Sequence, residues 1–219
     1  MLRKRLEQVH ERIAKASAKA SRDPESITLI AVTKKFTLGV IREAYLLGLR
    51  DFGENYVQEF AQKYPELDDL IDARFHLIGN LQSNKAKKAS EVFTVIHTVD
   101  DPKLARRLAD TGVRLEILLE VKLAGEDAKS GAAPEDLPFL MEAVRKFPTL
   151  KLTGLMTMPP WSENAELSRP YFARLRELAA KHRLPKLSMG MSHDLEVAIE
   201  EGATYVRVGT ALFGPRVKT

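Results

Sequence analysis

A single parallel (β/α)8 barrel of the TIM type, led by one extra N-terminal helix and spanning residues 1–219 as one domain, is the fold this sequence predicts. Three observations predict it. Eight short apolar, partly β-branched runs recur along the chain; helix-like stretches separate them; and no Gly/Ser-rich linker or shift of composition divides the 219 residues. Strands that alternate with helices pair in parallel, because each helix returns the chain to the same end of the sheet. Periodicity alone leaves a doubly wound open sheet as the alternative to closure.

The elements follow in order. Leu2, Leu6, Val9 and Ile13 recur at helical spacing, and the charges between them make the first helix amphipathic rather than a signal peptide. Asp23-Pro24-Glu25-Ser26 breaks that pattern, and 27–32 follows as a buried strand. Helices are predicted near 37–47, 55–63, 82–91, 102–110, 134–147, 163–182 and 193–201. Strands are predicted at 51–53, 75–78, 94–98, 114–121, 150–156, 185–189 and 204–208.

Composition narrows the chemistry. Hydrophobic residues make up 44% and charged residues 29%, as in ordinary globular chains. The chain has no cysteine, which excludes disulfides, thiolate metal sites, iron–sulfur clusters and a cysteine nucleophile. A net charge of +4 is too dilute to imply nucleic acid, and Lys85, Lys87 and Lys88 read as a solvated helix face. No apolar run reaches membrane-spanning length, so a cytoplasmic protein without membrane or nucleic-acid partners is expected.

In a parallel barrel, chemistry gathers at the C-terminal ends of the strands. Gly190-Met191-Ser192-His193-Asp194 joins a strand to a helix, where free N–H groups could receive an anion. Gly209-Thr210 holds the corresponding place after the last strand. Each motif also reads as a plain turn or an N-cap, but together on adjacent strands they point to a phosphate site. Alternation sets Arg207 on the opposite face from Val206 and Val208, inside the barrel. A buried guanidinium needs an acceptor, either Glu54 or Glu120 or a ligand ring nitrogen. Lys34 and Lys35 follow the first strand, and alternation does not say which of the two faces the mouth.

Several stretches closely resemble the pyridoxal-phosphate homeostasis proteins, the small single-barrel relatives of the alanine racemase N-terminal domain. They are Ala31-Val32-Thr33-Lys34, Phe52-Gly53-Glu54-Asn55-Tyr56, His76-Leu77-Ile78-Gly79-Asn80, Lys129-Ser130-Gly131, Gly154-Leu155-Met156-Thr157-Met158, the Gly190–Asp194 stretch and Arg207-Val208-Gly209-Thr210. Phe75 and Phe36 depart from that family's usual residues without touching the ligand chemistry.

The resemblance implies a fold-type III barrel that holds pyridoxal 5'-phosphate (PLP) as a Schiff base on Lys34, not Lys35. Ser192, Gly209 and Thr210 would hold the phosphate, Arg207 would face the pyridine nitrogen and Asn55 would lie near the phenolic oxygen. His76 and Met156 would line the pocket. It further implies a monomeric carrier that stores, buffers or delivers PLP, with PLP-requiring apoenzymes as partners. The alternative is a weak amino-acid racemase. That reaction needs a second acid/base, which alanine racemases draw from a tyrosine in an extra C-terminal domain. This sequence ends at Thr219, so no such domain is expected, and Tyr56, Tyr171 and Tyr205 remain as candidates within it.

Overall fold

A computed structural model describes residues 1–123 and 130–215. Lys129 of the Lys129-Ser130-Gly131 motif therefore lies outside the described residues. The extra helix is α1 (Leu2–Lys19), and its buried face is the expected stripe of Leu2, Leu6, Val9 and Ile13, continued by Ala16.

Eight strands follow: β1 (Thr28–Val32), β2 (Asp51–Glu54), β3 (Arg74–Leu77), β4 (Val95–Val99), β5 (Leu115–Glu120), β6 (Leu150–Met156), β7 (Lys186–Met191) and β8 (Tyr205–Val208). Every neighbouring pair is parallel. β1 pairs with β8 from Thr28↔Tyr205 to Ala31↔Val208, so the sheet closes on itself and the open-sheet alternative falls away.

The crossover helices are α2 (Leu38–Leu46), α3 (Val57–Lys63), α4 (Ala86–Val92), α5 (Pro102–Ala109), α6 (Leu137–Arg145), α7 (Arg169–His182) and α8 (Leu195–Glu200). Several begin later than their apolar patterns suggested. Single 3-10 turns at Ser83–Lys85, Pro134–Asp136 and Ala165–Ser168 take up the approach to α4, α6 and α7. Pro138 and Pro170 sit in the first turns of α6 and α7, where a missing N–H costs nothing. A one-turn helix, α9 (Thr210–Phe213), was not foreseen, because four residues carry no readable period.

Two cores result. A large apolar layer packs the outer strand faces against the helices, and it includes Val206 and Val208. A small cluster of Ile30, Val95, Leu118 and Tyr205 fills part of the barrel interior. Buried polar side chains, among them His76, His97, Ser188 and Arg207, occupy much of the remaining interior. Arg207, between the two valines, faces inward as alternation required, and it is 3% exposed.

Between β7 and β8 the register shifts. Ser188 pairs with Tyr205 but Met191 with Arg207, so three steps of β7 run beside two of β8. Gly190 stands in this bulge at φ +86°, and a Cβ there would lie 2.4 Å from that of Ala198. β7 consequently runs to Met191, two residues past its expected end.

Candidate functional site

A cavity of about 250 Å3 opens at the C-terminal mouth of the barrel. Its lining comes from the ends of β1, β2, β3, β7 and β8 and from the loop after β6. Six of the eight residues expected at the site line it: Lys34, Asn55, Ser192, Arg207, Gly209 and Thr210.

The chain sorts its two adjacent lysines. Lys34 lines the cavity and is partly buried, whereas Lys35 is exposed at φ +64° and donates its backbone N–H to Glu59 Oε1 at 2.8 Å. Asn55 is held from behind by a close approach of the loop after β3. A Cβ at Gly79 would lie 2.3 Å from the Asn55 carbonyl oxygen, so only glycine fits there. The Asn55 Oδ1 atom is buried with no hydrogen-bond partner in the protein. A buried polar atom of this kind at a cavity wall invites a ligand.

Ser192 bridges the last two loops. Its Oγ accepts the backbone N–H of Gly209 at 3.3 Å and that of Ala211 at 3.2 Å, both long bonds. The two N–H groups thus converge on a single oxygen, an arrangement that suits an oxyanion. The expected placement of Ser192 at a helix N-terminus is corrected. α8 starts only at Leu195, is six residues long and has Asp194 at its N-cap position. Asp194 is committed elsewhere, accepting from Met191 N at 2.7 Å and Ser168 Oγ at 2.9 Å. From outside the barrel, α1 supports this loop through Arg12, which donates to the Ser192 carbonyl at 2.9 Å and pairs with Glu196.

Gly209 is instructive because nothing in the protein requires glycine there. Its φ is −115°, and a Cβ would meet Val32 at an ordinary 3.5 Å. What the missing side chain leaves is space in the cavity beside the converging N–H groups.

Arg207 donates to Ser188 Oγ at 2.7 Å and to the Thr157 carbonyl at 3.1 Å. Neither carboxylate expected to pair with it does so by hydrogen bond: Glu54 accepts from Thr33 Oγ1 and Glu120 from Ser130 Oγ, each at 2.8 Å. Burial pulls the guanidinium down to about 10, still far above neutrality, so it remains a cationic donor.

His76 and Met156 do not line this cavity. His76 faces the barrel interior, but it bonds toward the opposite end, to Asp51 at the start of β2, at 2.8 Å. Met156 is fully buried on β6 beside Glu120 and Ser188. Alternation along a strand sets inside against outside but not depth, and depth separates His76 from the site. Other lining residues escaped the sequence reading: Ile78, Met158, Trp161 and His193. Ile78, Met158 and His193 lie within the stretches that carry the family resemblance but were given no role there, and Trp161, the chain's single tryptophan, stands in the loop after β6 and is 75% exposed. None of Tyr56, Tyr171 and Tyr205 lines the cavity. Tyr205 turns its hydroxyl to Glu116 inside the barrel, and burial pushes its phenol up to about 12.

Comparison with known proteins agrees with this geometry. The family model for the alanine racemase N-terminal domain matches residues 5–217. The pyridoxal phosphate homeostasis protein of Pseudomonas aeruginosa is 49% identical over 214 residues, covering 95% of this chain and 93% of that one. Its counterpart in Aquifex aeolicus is 47% identical and covers 97% of each. The structure of PipY from Synechococcus elongatus, solved with PLP bound, superposes with a TM-score of 0.85 at 40% identity, covering 98% of this chain and 100% of that one. An alanine racemase from Clostridium difficile shares the fold at a TM-score of 0.74 and 14% identity, and this chain spans 57% of it. Near-full-length identity to relatives of one name, on a barrel of matching shape, places the chain in the pyridoxal phosphate homeostasis protein family.

Proposed function

We propose that the protein binds PLP at the barrel mouth, covalently on Lys34, and acts as a carrier that stores, buffers or delivers it within the cell. The observation that carries this reading is the convergence, in one cavity of about 250 Å3, of a lysine, a pair of backbone N–H groups and a buried arginine. An amine, an anion cradle and a cationic donor suit a phosphorylated aldehyde with a ring nitrogen. The orphaned Asn55 Oδ1 and the space in front of Gly209 fit the same molecule, the first near the phenolic oxygen and the second beside the phosphate. The homeostasis proteins of P. aeruginosa and A. aeolicus and the PLP-bound PipY structure support the assignment.

Each residue then has a task. Lys34 would hold the cofactor through its amine, the nucleophile that a phosphorylated aldehyde takes up with loss of water. Ser192, Gly209 and Thr210 hold the phosphate. Arg207 would face the ring nitrogen as a donor that keeps its own proton. When bound, PLP supplies an electron sink, and an unprotonated ring makes that sink weak. Release of the cofactor to another amine would follow more readily from this site than carbanion chemistry. A racemase would also need an acid/base opposite the lysine, and no tyrosine faces the cavity among the described residues. Transfer to PLP-requiring apoenzymes belongs to the same reading, with a monomer as the acting unit.

Borohydride trapping followed by peptide mass mapping tests it. The label is expected on the peptide that carries Lys34, and Lys34→Ala is expected to lose both the label and most of the rise in unfolding temperature at saturating PLP. A label on another lysine, or an equal rise in both proteins, would overturn the covalent assignment. L-Alanine is expected to racemise no faster than with free PLP; turnover abolished by Lys34→Ala would favour the racemase instead.

A further inference from the structure

Below Arg207 the barrel interior contains an unbroken series of buried hydrogen bonds that the site itself does not use. Arg207 Nη1 meets Ser188 Oγ at 2.7 Å; Ser188 Oγ meets His97 Nδ1 at 2.9 Å; His97 Nε2 meets His76 Nδ1 at 2.9 Å; and His76 Nε2 meets Asp51 Oδ1 at 2.8 Å. The series crosses from β8 through β7, β4 and β3 to the start of β2. There Arg74 clamps the same Asp51 oxygen at 2.6 Å. Ser188, His76 and His97 are fully buried.

With both imidazoles neutral, the chemistry of the two ends sets the direction of every hydrogen between them. Arginine can only donate and a carboxylate can only accept. Both rings are fully buried, burial holds both below the ordinary histidine value, that of His97 well below, and Arg74 already supplies Asp51 with a cation, so the relay takes both imidazoles as neutral. The charged and titratable groups facing them are Asp51, Arg74, Glu116, Tyr205 and Arg207, and Lys186 lies over the Tyr205 ring.

With Asp51 accepting from His76 Nε2, His76 Nδ1 is bare and must accept. His97 must therefore donate from Nε2, which leaves its Nδ1 bare. The Ser188 hydroxyl must then donate to His97 Nδ1, which leaves the Ser188 oxygen to accept from Arg207. All the donors point from the cavity toward the floor. A chain so ordered polarises along its length, with a cation at one end and an anion at the other.

We propose that Ser188, His97, His76 and Asp51 are positioning residues: they form a one-directional hydrogen-bond relay that holds the Arg207 guanidinium against the ring nitrogen and carries the charge state of the barrel floor to the cavity. The inference rests on the PLP reading above, because the ring nitrogen is what Arg207 would face. It also goes beyond it, since Asp51 lies at the far end of the barrel and cannot touch a ligand at the mouth.

The test begins with the apoprotein, so it can be read whether or not PLP binds. The chain has five histidines, which makes ring 15N–13C correlation spectra tractable. His76 and His97 are expected as neutral Nε2–H tautomers. An imidazolium at His76 with an Nδ1–H tautomer at His97 would reverse part of the chain and overturn the relay.

The second arm uses the holoprotein loaded with PLP labelled with 15N in the ring. In Asp51→Asn and Ser188→Ala the ring-nitrogen signal is expected to move toward that of an unbonded pyridine. The dissociation constant should rise about threefold to tenfold, more for Ser188→Ala, as for the loss of one or part of one hydrogen bond. An unchanged signal in both folded variants would overturn the proposal. Should either variant fail to fold, the wild type still decides: loading must shift the His97 ring signals while leaving those of His10 and His182 in place, and an unmoved His97 sinks the relay. A wild-type protein that gains no bound PLP, with the expected tautomers intact, would instead count against the function proposed above.

Discussion

The two ends of the barrel interior contain similar chemistry used in opposite ways. At the floor, Asp51 is held by Arg74 and His76, and Glu116 accepts from Tyr205 and Thr153. Polar groups there answer one another. At the mouth they do not. Among the described residues, the buried carboxylate and amide oxygens without a partner are Glu54 Oε2, Asn55 Oδ1 and Glu120 Oε2, all at the C-terminal ends of strands. A buried polar atom left unpaired costs stability, so an end of the barrel that tolerates several is shaped for something other than stability. The difference separates a face built to hold a ligand from one built to hold the fold.

Two glycines, one in each of the last two loops, give the largest expected contrast. Gly190→Ala forces a Cβ to within 2.4 Å of Ala198 Cβ at φ +86°. It should destabilise the protein by about 3 kcal/mol or more in a denaturant titration. Gly209→Ala meets Val32 at 3.5 Å with φ at −115°, so its stability should stay within about 1 kcal/mol of the parent. Its Cβ enters the space proposed above for the phosphate, and PLP affinity should fall at least about tenfold by spectrophotometric titration. If Gly209→Ala binds PLP normally, the mouth has been misjudged as a cradle; if it unfolds, that glycine belongs to the fold after all.

What could be read from the sequence divides along physical lines. The barrel and its extra helix were legible from periodicity and chain order, which also brought Ser192, Arg207, Gly209 and Thr210 to the mouth; Lys34 rather than Lys35, and Asn55, came from the family resemblance, because alternation does not separate two adjacent lysines past a strand end. Depth was not legible. His76 shares the inward face of β3 with Ile78, yet two residues along a strand move a side chain by about 7 Å, enough to take it from the cavity into the relay. Nor was the bulge between Ser188 and Met191 legible, since alternation carries no sign of one extra residue in a strand. Trp161 and Met158 reach the cavity only by the folding of their loop.

A titration sharpens the comparison with a smaller effect. Glu54 is fully buried at the end of β2, and burial pushes its carboxyl up from 4.5 to about 7 against the opposing hydrogen bond from Thr33. Its folded value lies above its unfolded one, so between those values the native state binds more protons. Its contribution to stability is therefore fully present below about pH 4.5 and is lost as pH rises through about 7. The loss amounts to about 3 kcal/mol between pH 4.5 and 8. Glu54→Gln should flatten that part of the stability–pH curve, and thermal melts across the range will show it. A variant as steep as the parent would mean that the unpaired oxygen at the mouth carries no such cost.

The smallest effect belongs to the floor. Tyr205 donates to Glu116 Oε1 at 3.2 Å while its ring packs against His76 and His97 at centroid distances of 5.7 and 5.5 Å. Tyr205→Phe keeps the ring and removes only the hydroxyl. Glu116 retains Thr153 Oγ1 at 3.0 Å, so no carboxylate is stranded and the cost should be about 1 kcal/mol. Borohydride labelling of Lys34 should be unchanged, because the hydroxyl points away from the cavity. A variant of undiminished stability would show that pairing at the floor does not stabilise the fold. One that keeps its stability but loses the label would place Tyr205 functionally at the mouth, and with it the acid/base that a racemase would need.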